Sequence, residues 1–521
     1  MSRVEPNRNV YVGHRYVPKI FGEWDQQNEY EGLSIVTHQG ASYTSKKRVP
    51  VGIDILNEEF WIVTGNYDSQ VEEYRKETLE LSNKVKEKTD KNTVKANLID
   101  YGGVNDGTTD NYESFIDMIN SDNDSFYIPE GVYYISKPVD INRSNIKIVS
   151  DGVLKIDSLE SIALSIKGDN NEISVNIDGN LNSRIGIQNN GYDNIIKNCS
   201  IINMKSYENL SAGINSEQKG LTIIENNFIK NIISVGNNVK GDDNGASRGV
   251  RVSGLGTNDG LTLIHNNKIV DILGEEGDAV HLIAPGKEVM EVDIRNNNII
   301  HFTRRAIKMQ CSKVKAYFNN ISSHRDYSTL ERVIDVQYVD DCEIVGNTIN
   351  TTYVSFLGLQ GYEDNYAMNN IVRDNIITLN GNKGVGYINY TEGFIFKNNI
   401  INKSGVLIVT RSNKASVEGN EFNEGDNSSA YMINLSTVRN DSCSVTNNKF
   451  INLKSADVIA INGSNITVKG NLLNTQPSRI SINGGSGYIT DNIIYSPANN
   501  HINGDKTNHI TQNNIEIVEM N

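Results

Sequence analysis

Four short segments carry ionisable side chains at matching places: Arg248-Gly-Val-Arg251-Val, Asp278-Ala-Val-His281-Leu, Arg305-Ala-Ile-Lys308-Met and Arg332-Val-Ile-Asp335-Val. In each, the third and fifth residues are apolar and belong inside. If the segments are strands stacked about 4.8 Å apart, Arg251, His281, Lys308 and Asp335 then form one outward column. Arg248, Asp278, Arg305 and Arg332 stand at its edge, beside the acidic pairs Asp242-Asp243 and Glu275-Glu276. Ionisable groups packed this closely perturb one another's titration, which is the condition for acid–base chemistry.

The candidate catalytic residues are Asp278, His281, Asp335, Glu276 and Glu275. The candidate substrate-binding residues are Arg248, Arg251, Arg305, Lys308 and Arg332, with Arg304 adjoining. A chain of net charge −15 that gathers these cations on one face attracts a polyanion there and repels it elsewhere. Three chemistries suit the set. Hydrolysis of a glycosidic bond needs two carboxyls, about 5–5.5 Å apart for retention or 6.5–9.5 Å for inversion; Asp278 and Asp335, two coils apart at roughly 10 Å, suit inversion. A phosphodiester would use His281 as general acid or base, arginines to hold developing charge, and a divalent cation on Asp242, Asp243 and Asp278. A lyase would use Lys308 or Arg251 as a base of lowered pKa. Against all three stands the plainer reading that arginines and aspartates pair with one another across a sheet. No motif assigns a metal or calls for a cofactor.

The elements that would align these segments are announced by a repeat. Asn, any residue, then Ile, Leu or Phe recurs at Asn226, Asn267, Asn297, Asn319, Asn347, Asn375, Asn399, Asn420, Asn448, Asn471, Asn492 and Asn513. The flanks alternate as strands do, in Val468-Lys-Gly-Asn471-Leu-Leu473 for example. One coil per repeat, each contacting only its neighbours, is a solenoid. An inward Asn in the same turn of every coil can hydrogen-bond along the stack and satisfy buried amides. Stacking also lets 521 residues share one growing core instead of splitting into several.

Composition agrees. With 43 Gly and only 8 Pro, many short strands and tight turns fit better than helices. The acidic balance excludes a nucleic-acid binder. The opening Met-Ser-Arg-Val-Glu-Pro-Asn-Arg-Asn lacks an apolar run and no bilayer-length window is free of charge, so a chain without a secretion signal or membrane partner is expected. Cys199, Cys311, Cys342 and Cys443 are too dispersed for a metal site and read as small buried side chains.

Four parts follow along the chain. Residues 1–66 hold both tryptophans, Trp24 and Trp61, with Tyr30 and Tyr43, and form a small module whose aromatics serve as core or as sugar platforms, the core being preferred. Residues 67–95 are charged, free of Gly and Pro, and place Val71, Tyr74, Thr78, Leu81 and Val85 on a heptad seam. Residues 96–150 are an entry and cap; residues 151–521 are the coils.

The segment Asp100-Tyr-Gly-Gly-Val-Asn-Asp-Gly-Thr-Thr-Asp110, a short helical stretch Tyr112 to Ile119, and Pro129-Glu-Gly131-Val-Tyr133 resemble the opening of the pectate-lyase-like domain of phage tail spikes. Tyr11 to Trp24, Leu33 to Tyr43 and Phe60-Trp61 resemble the front of pre-neck appendage proteins of phages that infect Gram-positive bacteria, and are similar to small chitin-binding modules. The resemblance implies an all-β, right-handed parallel β-helix, a homotrimer joined by the heptad seam, and a virion protein whose N-terminal module docks onto phage neck or tail proteins. It also implies a depolymerase of a bacterial surface polymer, by preference wall teichoic acid cut by hydrolysis, with an acidic capsular polysaccharide second. A non-catalytic receptor-binding fibre is the contrasting expectation. The larger appendage proteins carry a C-terminal chaperone domain; its absence after Ile515 implies trimerisation without it, or processing.

Overall fold

A computed structural model describes residues 18–39, 41–66, 96–236, 244–254, 260–285, 288–380, 384–403, 405–424, 431–453, 457–475, 478–495 and 501–517. The chain divides into two units, Met1–Thr93 and Val94–Asn521. The heptad seam of residues 67–95 lies outside the described residues, as do Asp242 and Asp243.

In the first unit, Lys19–Glu23 runs parallel to Ser34–His38, which pairs antiparallel with Ala41–Ser45 and through it with Trp61–Asn66. Tyr30 and Trp61 are buried with Val36, Val49 and Ile55, and Trp24, Tyr43 and Phe60 pack against them. The aromatics are therefore core, as a module too small to bury enough aliphatic area requires.

The second unit is an all-β, right-handed parallel solenoid of about 15 turns with one short helix. Through the coils that carry the candidate site, each strand pairs in parallel with the strand three places further along the chain, so a coil contributes three strands and the rod has three sheets. The repeat apolar residue falls in one inward column: Ile269, Ile299, Ile321, Ile349, Ile377, Ile401, Phe422, Phe450, Leu473 and Ile494 are all buried. Phe422 and Phe450 stack at 5.0 Å. Each such side chain removed from water contributes about 1.5–3 kcal/mol, and stacking gives each one the same neighbours.

Beside that column runs the asparagine ladder. The backbone N–H and Nδ2 of Asn267 both donate to Asn297 Oδ1 at 2.9 Å, while Nδ2 also reaches back to the Ile224 carbonyl. The arrangement repeats through Asn319, Asn347, Asn375, Asn399, Asn420, Asn448 and Asn471 to Asn492. Two positions are corrected. The ladder members at the ends are Asn227 and Asn514, whereas Asn226 and Asn513 sit one residue earlier with positive φ. That preceding position turns the chain in every coil and is left-handed throughout, so it favours Asn, Asp and Gly; where Asn fills both, only the second points inward.

At the start of the rod, helix Tyr112–Asn120 buries Phe115, Met118 and Ile119 over the first coil. Asp106 accepts from the N–H groups of Thr108 and Thr109, and Asp110 from Ser136, so these motif carboxylates hold turns. All four cysteines are buried and free, with thiols pushed up by burial, to about 12 for Cys199 and Cys342. None of the described helices is long and apolar enough to cross a membrane.

Candidate functional site

One sheet contains Ala246–Ser253, Glu276–Ile283, Arg305–Gln310, Arg332–Gln337 and Ser355–Gln360 as consecutive rungs. Their register puts Arg251 beside His281, His281 beside Lys308, and Lys308 beside Asp335, as expected. Arg248, Asp278 and Arg305 form the adjoining column. Each rung turns two successive residues inward, Ala279-Val280 or Ala306-Ile307, which is why residues three apart, such as Arg305 and Lys308, share the outer face.

The columns are in place but not open to solvent as expected. Asp278 and Asp335 are fully buried, Arg248 and Arg305 nearly so, and His281 retains 4% and Lys308 8% of its surface. The charges cover one another. Arg305 lies between the two aspartates, 2.7 Å from Asp278 Oδ1 and 3.2 Å from Asp335 Oδ2. Arg248 pairs with Asp278 at 3.2 Å and Glu276 at 3.1 Å; Arg332 pairs with Asp335 at 3.0 Å. Over them, Arg304 bridges Glu276 and Glu331. The plainer reading of mutual pairing thus describes most of the arginines. Arg251, half-buried, donates to Asn215 at 3.2 Å, and Glu275 is exposed at the entry to its strand.

Two groups stand apart. Arg248 Nε donates to His281 Nδ1 at 2.8 Å, so Nδ1 carries no proton and Nε2–H donates to Gln310 Oε1 at 2.9 Å. Burial first, then Arg248 and Lys308, hold this imidazole well below its ordinary pKa, in the neutral form. Lys308 has no ion-pair or hydrogen-bond partner among the described residues. Burial and then the Arg305 guanidinium push its pKa down from 10.5. A desolvated amine crowded by fixed cations gives up its proton readily, which suits a base. The carboxylates are the opposite case. Burial of Glu276 raises its pKa, but Lys308, Arg248, Arg304 and Arg305 outweigh this and hold it below the usual range; Glu331 is likewise held low by Arg305 and Arg304.

Among the described residues, Arg248, Arg304, Arg305 and Arg332 pair with Glu276, Asp278, Glu331 and Asp335, so the carboxylates of the site are shared between neighbouring coils.

Residues 248–422 match the family described as the right handed beta helix region. No curated protein matches the sequence. Among solved structures the chain is similar to PfbA, a surface adhesin of Streptococcus pneumoniae, at 14% identity, over 68% of this chain and 91% of that one, with a TM-score of 0.45. It is similar to tailspike protein 3 of bacteriophage CBA120 at 11% identity, over 95% and 78%, with a TM-score of 0.31. It is also similar to the alginate lyase AlyF-OU02 in complex with G6 at 11% identity, over 77% and 92%, with a TM-score of 0.42.

Several members of the site escaped the sequence reading. Gln310 Nε2 donates to Gln337 Oε1 at 2.9 Å and Gln337 Nε2 to Asp335 Oδ2 at 2.5 Å, closing a chain from His281 to Asp335. Gly358 follows Asp335 in the column; a Cβ there would lie 2.6 Å from Arg332 Nε and 2.7 Å from Asp335 Oδ1, so only glycine lets that pair close. Tyr338 and Tyr362 stack at 3.8 Å with rings 2° from parallel. The density of tyrosine at 338, 353, 362, 366, 387 and 390 was a usable signal.

Proposed function

We propose that this chain is a phage tail spike or neck appendage whose solenoid binds an anionic bacterial-surface glycopolymer across the rungs from Arg248 to Gln337 and cuts it. The N-terminal module then docks onto the virion, and three copies assemble. The observation that carries the reading is Lys308: buried, without an ion-pair or hydrogen-bond partner among the described residues, lowered in pKa, and centred between neutral His281 and paired Asp335. An inert rod has no use for a buried amine that no hydrogen bond holds and that costs several kcal/mol to bury in its charged form.

The proton inventory favours elimination over the hydrolysis first expected. A glycosidic general acid needs a carboxyl of raised pKa, whereas Glu276 and Glu331 are held low and Asp278 and Asp335 are gripped by arginine. Both ring nitrogens of His281 are engaged, which weighs against it as the proton donor of a phosphodiesterase. Once deprotonated, which its lowered pKa favours, Lys308 Nζ can take the proton from the carbon next to a uronate carboxylate. The C–H pair becomes the double bond, the β C–O bond breaks, and the leaving oxygen is protonated by water. Arg251 and Arg332, less buried than Arg248, Arg305 and Lys308, suit the substrate's carboxylate.

The full chain is incubated with purified polyuronate and with wall teichoic acid, following polymer length on gels and the ultraviolet absorbance of unsaturated ends. Shortened polyuronate with new absorbance, lost in Lys308→Met, supports the reading. Shortened teichoic acid without absorbance replaces elimination by hydrolysis. Both polymers intact but retained on immobilised protein makes the chain a receptor-binding fibre.

A further inference from the structure

Next to the charged network lies a cavity of about 270 Å³ lined by Ala284, Gln310, Gln337, Tyr338, Tyr362 and Asn365. Its chemistry differs from that of the network: three carboxamides, two aromatic rings and no charge. The volume lies just below the range of small-molecule sites, about 300–1,000 Å³, and fits one ring better than a chain.

Its walls are built rather than incidental. Tyr338 occupies a left-handed turn position with φ of 61°, a costly conformation for a bulky residue, and that turn sets its ring against Tyr362. Tyr362 nonetheless leaves 49% of its surface in water. Gln310 and Gln337 each spend one N–H on the chain between His281 and Asp335, which fixes both amides and leaves each a second N–H and a spare carbonyl lone pair. An aromatic platform beside fixed donors and acceptors matches a pyranose, which has an apolar face and a rim of hydroxyls.

We propose that this cavity is a subsite for an uncharged pyranose, a hexose or N-acetylhexosamine, neighbouring the anionic unit of the polymer. On the polymer-binding reading, on which this rests, the substrate is a heteropolymer alternating neutral and acidic residues, and the neutral ring sets which bond lies over Lys308. A homopolymer of acidic units would leave the amides and tyrosines without a role.

The test uses full-length protein and the methyl glycosides of glucose, galactose, mannose, N-acetylglucosamine and N-acetylgalactosamine, observed one at a time by saturation-transfer NMR and titrated at millimolar concentration. Binding of at least one, weakened about tenfold by Tyr362→Ala and by Gln337→Leu but kept by Tyr362→Phe, is expected. Thermal melting of each variant confirms that it is folded. Binding of none of the five, or binding indifferent to both substitutions, overturns the assignment. A glycoside bound while a heteropolymer alternating that sugar with a uronate stays intact refutes the cleavage reading alone; an acidic polymer cut while no glycoside binds refutes the subsite alone.

Discussion

Arg248 Nε and His281 Nδ1 are joined by a 2.8 Å hydrogen bond whose proton stays on the guanidinium, so a permanent cation fixes the histidine as the neutral Nε2–H tautomer. His281 is therefore a positioning residue: it transmits the place of Arg248 to Gln310 and so to Gln337 and Asp335.

The pH dependence of stability follows from this pair. The native imidazole has a pKa well below 6.5, so below that pH the unfolded chain binds a proton that the native one does not, and stability falls as pH drops. A second loss begins near 4.5, where Glu276 and Glu331, depressed in the native state, must be protonated. Melting temperature measured from about pH 7 to 5.5 should decline in the wild type and decline less in His281→Gln, the remaining slope coming from His301 and His509, which burial also holds below the ordinary value.

Lys308→Met should cost about 10²–10⁴-fold in turnover while leaving melting unchanged or raised, because it removes a buried, unpaired ammonium and keeps the stem. In the wild type, rate should rise with pH along a limb whose midpoint lies below 10.5. A variant that loses stability and activity together would make the lysine structural.

Arg305→Ala strands Asp278 and Asp335 in the interior without their shared partner. A loss of about 3–5 kcal/mol is expected by denaturant unfolding, with Arg305→Lys unable to restore it, since one ammonium cannot bridge two carboxylates as a planar fork does.

Gly358→Ala should separate Arg332 from Asp335 at a cost of about 1–2 kcal/mol. Gly384→Ala, where a Cβ meets nothing closer than 3.4 Å, is the control that should change little. Equal melting temperatures for the two variants would refute the close-approach account.

In the ladder, Asn347→Ala leaves the backbone N–H and Nδ2 of Asn319 without their shared acceptor. Two buried orphans cost about 1–3 kcal/mol each, so the mid-rod substitution should destabilise more than the same change at half-buried Asn514.

The amino-acid order by itself determined the solenoid and the register of its rungs. A side chain that must stack on its own kind recurs once per coil, and the Asn-x-Ile spacing therefore places Arg251, His281, Lys308 and Asp335 side by side. Local turn chemistry was less legible: an Asn-Asn doublet does not say which residue takes the left-handed turn and which the ladder, hence the shift from Asn226 to Asn227 and from Asn513 to Asn514. Only the tertiary structure decided who pairs with whom. Whether Arg305 is a surface cation or a buried clamp, whether His281 carries a proton, and that Lys308 alone among these cations lacks any partner among the described residues depend on distances of a few ångströms between coils. Electrostatic energy in a desolvated site changes steeply over such distances, and no periodicity encodes it. The tyrosine and glutamine cavity was hidden for the same reason, since its walls come from four coils whose side chains meet only when the rod is wound.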